Sequence, residues 1–263
     1  MPTQIKLALI AGGTIFLGLP VAKIPNVSAR TKGFLNAVST GVLIFILVEI
    51  MGKAIESIED LFQAARGGFP QMTNALSFSG MLILGLLVGL LSMVYFENAF
   101  IRQGKDKTPQ EEAQASRLSL MIAIGIGIHN LTEGLAIAQA NAFGDEILGL
   151  FLAVGFALHN ATEGFGIAAP LSGQRPSWAF LGLMGLIGGG PTVIGAVLGS
   201  YWQSSIFQFL SFGLAAGSIL YIVGELMHMG RRLKGEAVVE IGLLIGFASA
   251  FATEMYLAVV GNG

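Results

Sequence analysis

The run His129-Asn130-Leu131-Thr132-Glu133-Gly134 returns thirty residues later as His159-Asn160-Ala161-Thr162-Glu163-Gly164. Each copy sets an imidazole and a carboxylate at positions i and i+4, which puts both on one face of a helix. Both copies lie inside apolar runs, where a charged carboxylate at the centre of a bilayer costs about 2.5 to 3.5 kcal/mol on insertion scales. A divalent cation held between the two pairs offsets that cost. The mixed nitrogen and oxygen donors suit zinc, iron, manganese or cadmium better than magnesium, which dehydrates reluctantly. Asn130 and Asn160 stand three residues before the glutamates, where they either supply a carbonyl oxygen or orient the carboxylate. Thr132 and Thr162 are expected to bond back to the carbonyl one turn earlier and bend the helix slightly. Gly134 and Gly164 are expected to permit close helix approach.

The elements that must carry these residues are membrane helices. Of 263 residues, 54% are hydrophobic and 11% charged, and the mean hydropathy is +0.74, too little polar surface to coat a soluble globule of this size. A formal net charge of -2 offers no footprint for nucleic acid, and the absence of cysteine removes disulfides, zinc fingers and thiol catalysis together. A spanning helix needs about 20 apolar residues, and eight such runs occur, at approximately 7–24, 34–52, 76–96, 118–138, 147–169, 179–199, 206–229 and 237–260. The first lacks a small-x-small cleavage site and is read as a span. No linker or low-complexity tract interrupts the chain, so 1–263 is read as a single transmembrane domain.

The basic residues set an orientation. With the N-terminus outside, the inner loops hold Lys23, Arg30, Lys32, Arg102, Lys105, Lys107, Arg117, Arg175, Arg231, Arg232 and Lys234, and the outer side holds Lys6, Lys53 and Arg66. Eleven against three fits the excess expected of cytoplasmic loops. The fold class is therefore an all-α polytopic membrane protein with eight spans and both termini on the outer side. Gly85-x-x-x-Gly89, Gly195-x-x-x-Gly199, Gly213-x-x-x-Gly217 and Gly242-x-x-x-Gly246 are read as close-packing helix contacts before dimer contacts. Lys53 to Gly68 places Ile55, Ile58, Phe62 and Ala65 on one stripe, as an extension of the second helix or an interfacial segment. The Asn98–Ser116 stretch reads as a solvated connector with a helix start at Thr108-Pro109-Gln110-Glu111.

Spans 4 and 5 are joined by only about eight residues, 139–146, and are expected to be antiparallel neighbours with His129 and His159 at nearly the same depth. Glu133 then lies towards the outside and Glu163 deepest, as a ladder of ligands. Glu225 and His228 in span 7 are read either as partners of Arg231 and Arg232 at a helix end or as a secondary or exit metal site. Glu49 is a further candidate for that secondary role, ahead of Glu97 and Glu254. Asp145 and Glu146 either draw cations to the outer mouth or are simply solvated.

The doubled His-Asn-x-x-Glu-Gly motif on adjacent helices, within eight spans, resembles the ZIP (Zrt/Irt-like protein) family of metal transporters over nearly the whole chain. The resemblance implies a transport site of His129, Asn130 and Glu133 on helix 4 with His159, Asn160 and Glu163 on helix 5. It also implies movement of zinc, iron, manganese or related ions towards the cytoplasm, a homodimer, and an elevator-like motion. No prosthetic group is implied, since the ion, zinc first, is the transported substrate. The partners are that ion and the bilayer, and the host membrane is expected to be a prokaryotic plasma (inner) membrane. Thr132 and Thr162 stand where the family usually has proline. Gly190, before Pro191, stands where many members carry an acid, so one principal ion per site is expected. The loop before span 4 lacks the histidines often found there.

The alternatives are an intramembrane zinc hydrolase, which the absence of His-Glu-x-x-His opposes, and a metal-gated receptor that binds without transporting. Ligand histidines must be neutral to bind metal, so uptake is expected to fall as pH drops through about 6.5. Flat uptake across that range would contradict a histidine site.

Overall fold

In the computed structural model, residues 1–24, 28–64, 69–102, 111–171, 176–232 and 236–261 are described. They form helices joined by short turns, with no strand among them. Eight segments are long and apolar enough to cross a membrane, as the sequence requires. We number them α1 (Thr3–Lys23), α2 (Ala29–Ala64), α3 (Phe69–Phe96), α4 (Glu111–Ala142), α5 (Glu146–Ala168), α6 (Trp178–Tyr201), α7 (Ser205–Arg232) and α8 (Glu236–Gly261). The helix start at Thr108-Pro109-Gln110 lies outside the described residues. So do Ala65, Arg66, Lys105, Lys107, Arg175 and Lys234.

Several boundaries differ from the sequence reading for local reasons. The first span is broken into Thr3–Gly13, Ile15–Gly18 and a 3-10 turn Leu19–Lys23, where Pro20 has no N–H to continue the ladder. α2 runs unbroken for 36 residues, so the amphipathic stretch is its continuation. The inward residues there are Ala54 and Ile58, whereas Ile55 and Phe62 face outward. α3 passes into a π-helical segment, Glu97–Arg102, where a connector was expected. The α4–α5 link narrows to three residues, Phe143 to Asp145. It turns on Gly144 at φ 82, a left-handed conformation that costs glycine nothing. The Leu148 N–H then donates to Asp145 Oδ1 at 2.9 Å, capping α5.

α4 and α5 are the most enclosed spans, and α3 and α8 the least. α1 and α6 pack on one flank of the central pair; α2 and α7 pack on the other, with α3 against α7 and α8 against α2. The apolar core between α2, α5 and α7 holds Leu43, Ile46, Ile50, Phe151, Phe156, Phe209 and Phe212. Ile83, Leu84, Leu87 and Leu91 of α3 and Ile241, Leu244 and Ile245 of α8 point outward, as helices do when lipid is the solvent.

Lipid does not drive such helices together, so contact depends on close packing through small residues. A Cβ added to Gly134 of α4 would lie 1.9 Å from the Thr192 carbonyl of α6, and one added to Gly164 of α5 would lie 2.2 Å from the Ile15 carbonyl of α1. The motif glycines thus press α4 onto α6 and α5 onto α1. The expected small-residue pairs also act within the chain: Gly85 and Gly89 interlock with Gly213 and Gly217, joining α3 to α7.

Candidate metal centre

The short turn makes α4 and α5 an antiparallel hairpin, and the repeated motif falls on their facing surfaces. His129 and His159 are fully buried at one level, with ring centroids 5.8 Å apart. Glu133 Oε1 lies 3.2 Å from His129 Nε2, and Glu163 Oε1 lies 3.0 Å from His159 Nε2 and 4.0 Å from His129 Nε2. One donor atom from each of His129, Glu133 and His159 falls within a 4.8 Å set. The carboxylates therefore converge on the histidines and do not spread into a ladder. Helical side chains lean towards their own N-terminus, so on two antiparallel helices both glutamates lean back to the histidine level.

The asparagines bind in two directions. Asn130 Nδ2 donates to the Gly188 carbonyl of α6 at 3.0 Å, and Asn160 Nδ2 donates to the Ala11 carbonyl of α1 at 3.1 Å. Asn160 Nδ2 also donates to Glu133 Oε2 at 3.2 Å, so its two amide protons tie a neighbouring backbone to the opposite copy's carboxylate. Asn130 stands beside Glu163 in the reciprocal place. Thr132 and Thr162 donate to the His129 and His159 carbonyls at 2.6 and 2.7 Å, the back-bonds the sequence calls for.

Five buried polar atoms at this point have no hydrogen-bond partner among the described residues: His129 Nε2, Glu133 Oε1, Glu163 Oε2, Asn130 Oδ1 and Asn160 Oδ1. Lone pairs so enclosed are costly unless a donor or cation meets them. Their chemistry, one imidazole nitrogen with carboxylate and amide oxygens, is that of a site for a borderline divalent ion.

Two residues that sequence reasoning passed over close the arrangement. Ser39 Oγ of α2 lies 2.6 Å from His159 Nδ1, and Ser218 Oγ of α7 lies 2.9 Å from His129 Nδ1. Each is buried, and each reaches its histidine across 120 or 89 residues of chain. Buried small polar residues on otherwise apolar helices were the available signal, and many serines share it.

The secondary candidates stand apart. Glu49 sits on α2 beside Glu254 of α8, ten residues beyond Ser39. Glu225 is half-buried and His228 exposed near the far end of α7; among the described residues neither bonds to the cluster. Glu97 accepts a hydrogen bond from the Tyr221 hydroxyl. Asp145 is occupied as the α5 cap and lies 3.9 Å from Lys53 Nζ. Gly190 lies beside Pro191 in α6, and a Cβ there would meet nothing within 4 Å.

Eight apolar helices packed round a buried histidine and carboxylate cluster define a polytopic integral membrane protein. The chain belongs to the ZIP family: residues 97–254, from the end of α3 into α8, match the family described as ZIP Zinc transporter. It is 31% identical over 89% of its length to "Zinc transporter ZupT" of Chlorobium chlorochromatii, covering 87% of that protein. It is 30% identical to "Zinc transporter ZupT" of Chlorobaculum parvum, with 96% of each chain covered. A match to the same-named protein of Chlorobium limicola is 29% identical and spans 51% of this chain and 50% of that one. The family consists of transporters, not enzymes, and its bacterial members place the chain in a prokaryotic plasma membrane. The hydrolase alternative is not favoured.

Proposed function

We propose that the chain carries zinc across the membrane towards the cytoplasm through the cluster of His129, Asn130 and Glu133 on α4 with His159, Asn160 and Glu163 on α5. The observation that carries this reading is the set of five enclosed polar atoms, four of them oxygen acceptors, that have no partner among the described residues and come from both copies of one motif. Zinc follows from the imidazole content and from the relatives' names; iron, manganese and cadmium share enough of that chemistry to compete. Two carboxylates neutralise the dication where the surroundings are apolar, and Gly190 adds no further acid, so one ion is carried at a time.

In this reading 1–263 acts as one transmembrane domain with both termini outside, and two copies pair as a homodimer. Glu225 and His228 attend the ion's exit, and Glu49 is a secondary acid. Uptake of zinc, cadmium, manganese and iron into proteoliposomes, by the native chain and by the His159→Ala, Glu163→Ala double variant, tests it. Saturable zinc flux that the variant loses is the expected result. Equal metal binding by both proteins with no flux in either would overturn it.

A further inference from the structure

We propose that the N-terminal half of α1, Thr3–Gly13, is a hinged cover on the metal cluster, that its hinge is Gly12-Gly13-Thr14, and that Asn160 couples its position to the ion.

All six side chains of the cluster are buried, so an ion reaches them only when a neighbouring element moves. Close backbone contacts show which elements are pinned. α6 is pinned to α4 at three levels: a Cβ on Gly127 would lie 2.4 Å from the Ile187 carbonyl oxygen, one on Gly134 1.9 Å from that of Thr192, and one on Gly195 2.0 Å from that of Leu131. The C-terminal half of α1 is pinned to α5, where Cβ atoms on Gly18 and Gly164 would lie 2.3 and 2.2 Å from the carbonyl oxygens of Ala161 and Ile15. Among the described residues, the N-terminal half of α1 shows such a contact only at its last turn. There Gly12 meets Gly189 of α6, and a Cβ on either would lie 2.3 or 2.2 Å from the other's carbonyl oxygen. Beyond that point the segment rests on the methyl groups of Ala8, Ala138 and Ala196. A hydrogen bond from Gln4 Nε2 to Ser200 Oγ, at 3.1 Å, ties its tip to the end of α6.

The helix breaks beside that contact. It ends at Gly13 and restarts at Ile15, and the Leu17 N–H bonds to the Thr14 carbonyl, three residues back, at 2.9 Å. Glycine weakens a helix wherever it stands, and a Cβ on Gly13 would meet nothing within 4 Å. A bend at Gly13 therefore meets no obstruction on that side, with Gly12 against Gly189 as the pivot.

Ala11 stands immediately before the pivot. Its carbonyl accepts from Thr14 Oγ1 at 2.8 Å and from Asn160 Nδ2 at 3.1 Å. The same Asn160 amide donates to Glu133 Oε2 at 3.2 Å, while Glu133 Oε1 lies towards His129. One oxygen of Glu133 is thus open to the ion, and the other is tied through Asn160 to the cover. An ion that fixes Glu133 fixes Asn160 and Ala11 with it. Loading holds the cover shut, which keeps water from the site, and an empty site frees it. The coupling rests on the proposed ion site; the hinge does not.

The chain has no cysteine, so a single introduced thiol reports alone. Ala8→Cys in the cover and Ile15→Cys beyond the hinge, both at fully buried positions, are made in the full chain in lipid nanodiscs. Each is exposed to a water-soluble maleimide without and with zinc, and zinc binding is followed in parallel. Ala8→Cys is expected to be labelled without zinc and about tenfold more slowly with it, within the usual range of coupling between two sites. Ile15→Cys is expected to stay protected in both. Without zinc, adding Asn160→Ala to Ala8→Cys is expected to speed labelling, whereas Asn130→Ala, whose amide holds α6, leaves it unchanged. If Ala8→Cys does not fold, Ala196→Cys, on the α6 surface that the cover shields, carries the same expectation. A cleavable crosslink between Gln4→Cys and Ser200→Cys is expected to abolish zinc uptake, and its cleavage to restore it.

A thiol at position 8 that stays unlabelled without zinc, Ile15→Cys labelled as fast as Ala8→Cys, labelling unchanged once zinc has bound, or uptake unmoved by the crosslink would overturn the proposal. The expected labelling without zinc, in a protein that neither binds nor carries zinc, would overturn the transport reading and leave the hinge standing.

Discussion

The two copies of the motif are nearly identical in sequence and unequal in surroundings. On α4, His129, Asn130 and Glu133 are wholly enclosed, and Thr132 joins His129 in gripping Ser218. On α5, Thr162 does no more than bond back within its own helix, and His159 is already engaged with Glu163. Asn160 reaches over to Glu133. The repeat fixes which face carries the donors; the helices packed behind each copy decide how firmly those donors are held. α4 lies between α6 and α7 and is clamped on both sides, whereas α5 rests against α1 and α2 and has a freer hydroxyl behind it.

The comparison breaks most readily at the ligands. Removing either pair, His129→Ala with Glu133→Ala or His159→Ala with Glu163→Ala, is expected to cut zinc uptake by more than about 100-fold, since outer partners alone are worth up to that. Uptake above a tenth of native in one of the two would mean the copies do not form a joint site. Next come the glycines. Gly134→Ala and Gly164→Ala each drive a Cβ into a backbone carbonyl, and each is expected to destabilise the fold by about 1 to 3 kcal/mol or more, read as a lower thermal midpoint in detergent. Gly166→Ala, which meets nothing within 4 Å, is the control and should change little.

The asparagines sharpen the contrast. Asn160→Ala loses the bonds to both Ala11 and Glu133 and is expected to raise the KM for zinc about tenfold, more than Asn130→Ala; equal shifts would remove the asymmetry claimed for them. The smallest effect is at the threonines. Thr132→Val loses an interhelical hydroxyl contact worth about 0.6 to 1.7 kcal/mol in membranes, while Thr162→Val loses only a local back-bond. Melting curves that fell equally for both would place Ser218 outside the grip described.

Much of this was legible in the chain because it depended on local pattern. The eight spans follow from apolar run length, the shared buried face of the His and Glu side chains from the i, i+4 spacing, and the close approach at Gly134 and Gly164 from the lack of a side chain beside that face. What escaped notice depended on which helix lies behind which. Ser39 and Ser218 have no signature of their own, and only the packing of α2 and α7 on the central hairpin gives them a histidine to meet. The convergence of the carboxylates also escaped a reading by backbone height, because it arises from the tilt of helical side chains. The 3-10 turn that ends α1 could have been seen at Pro20, whereas the three-residue turn after Ala142 required knowing how far α4 continues.

The amide groups of Asn130 and Asn160 grip main-chain oxygens, at Gly188 and Ala11. Every residue type presents such an oxygen, so inheritance can rewrite the letters at those two positions without erasing the grip, limited by space and not by chemistry. The outer frame of the site is thus passed on as a path of the chain through space. A descendant that replaced Ala11 or Gly188 with another residue the space admits, and kept the small residues that let α1 and α6 approach, would keep the grip, and an alignment would show nothing at the two places where the frame is held.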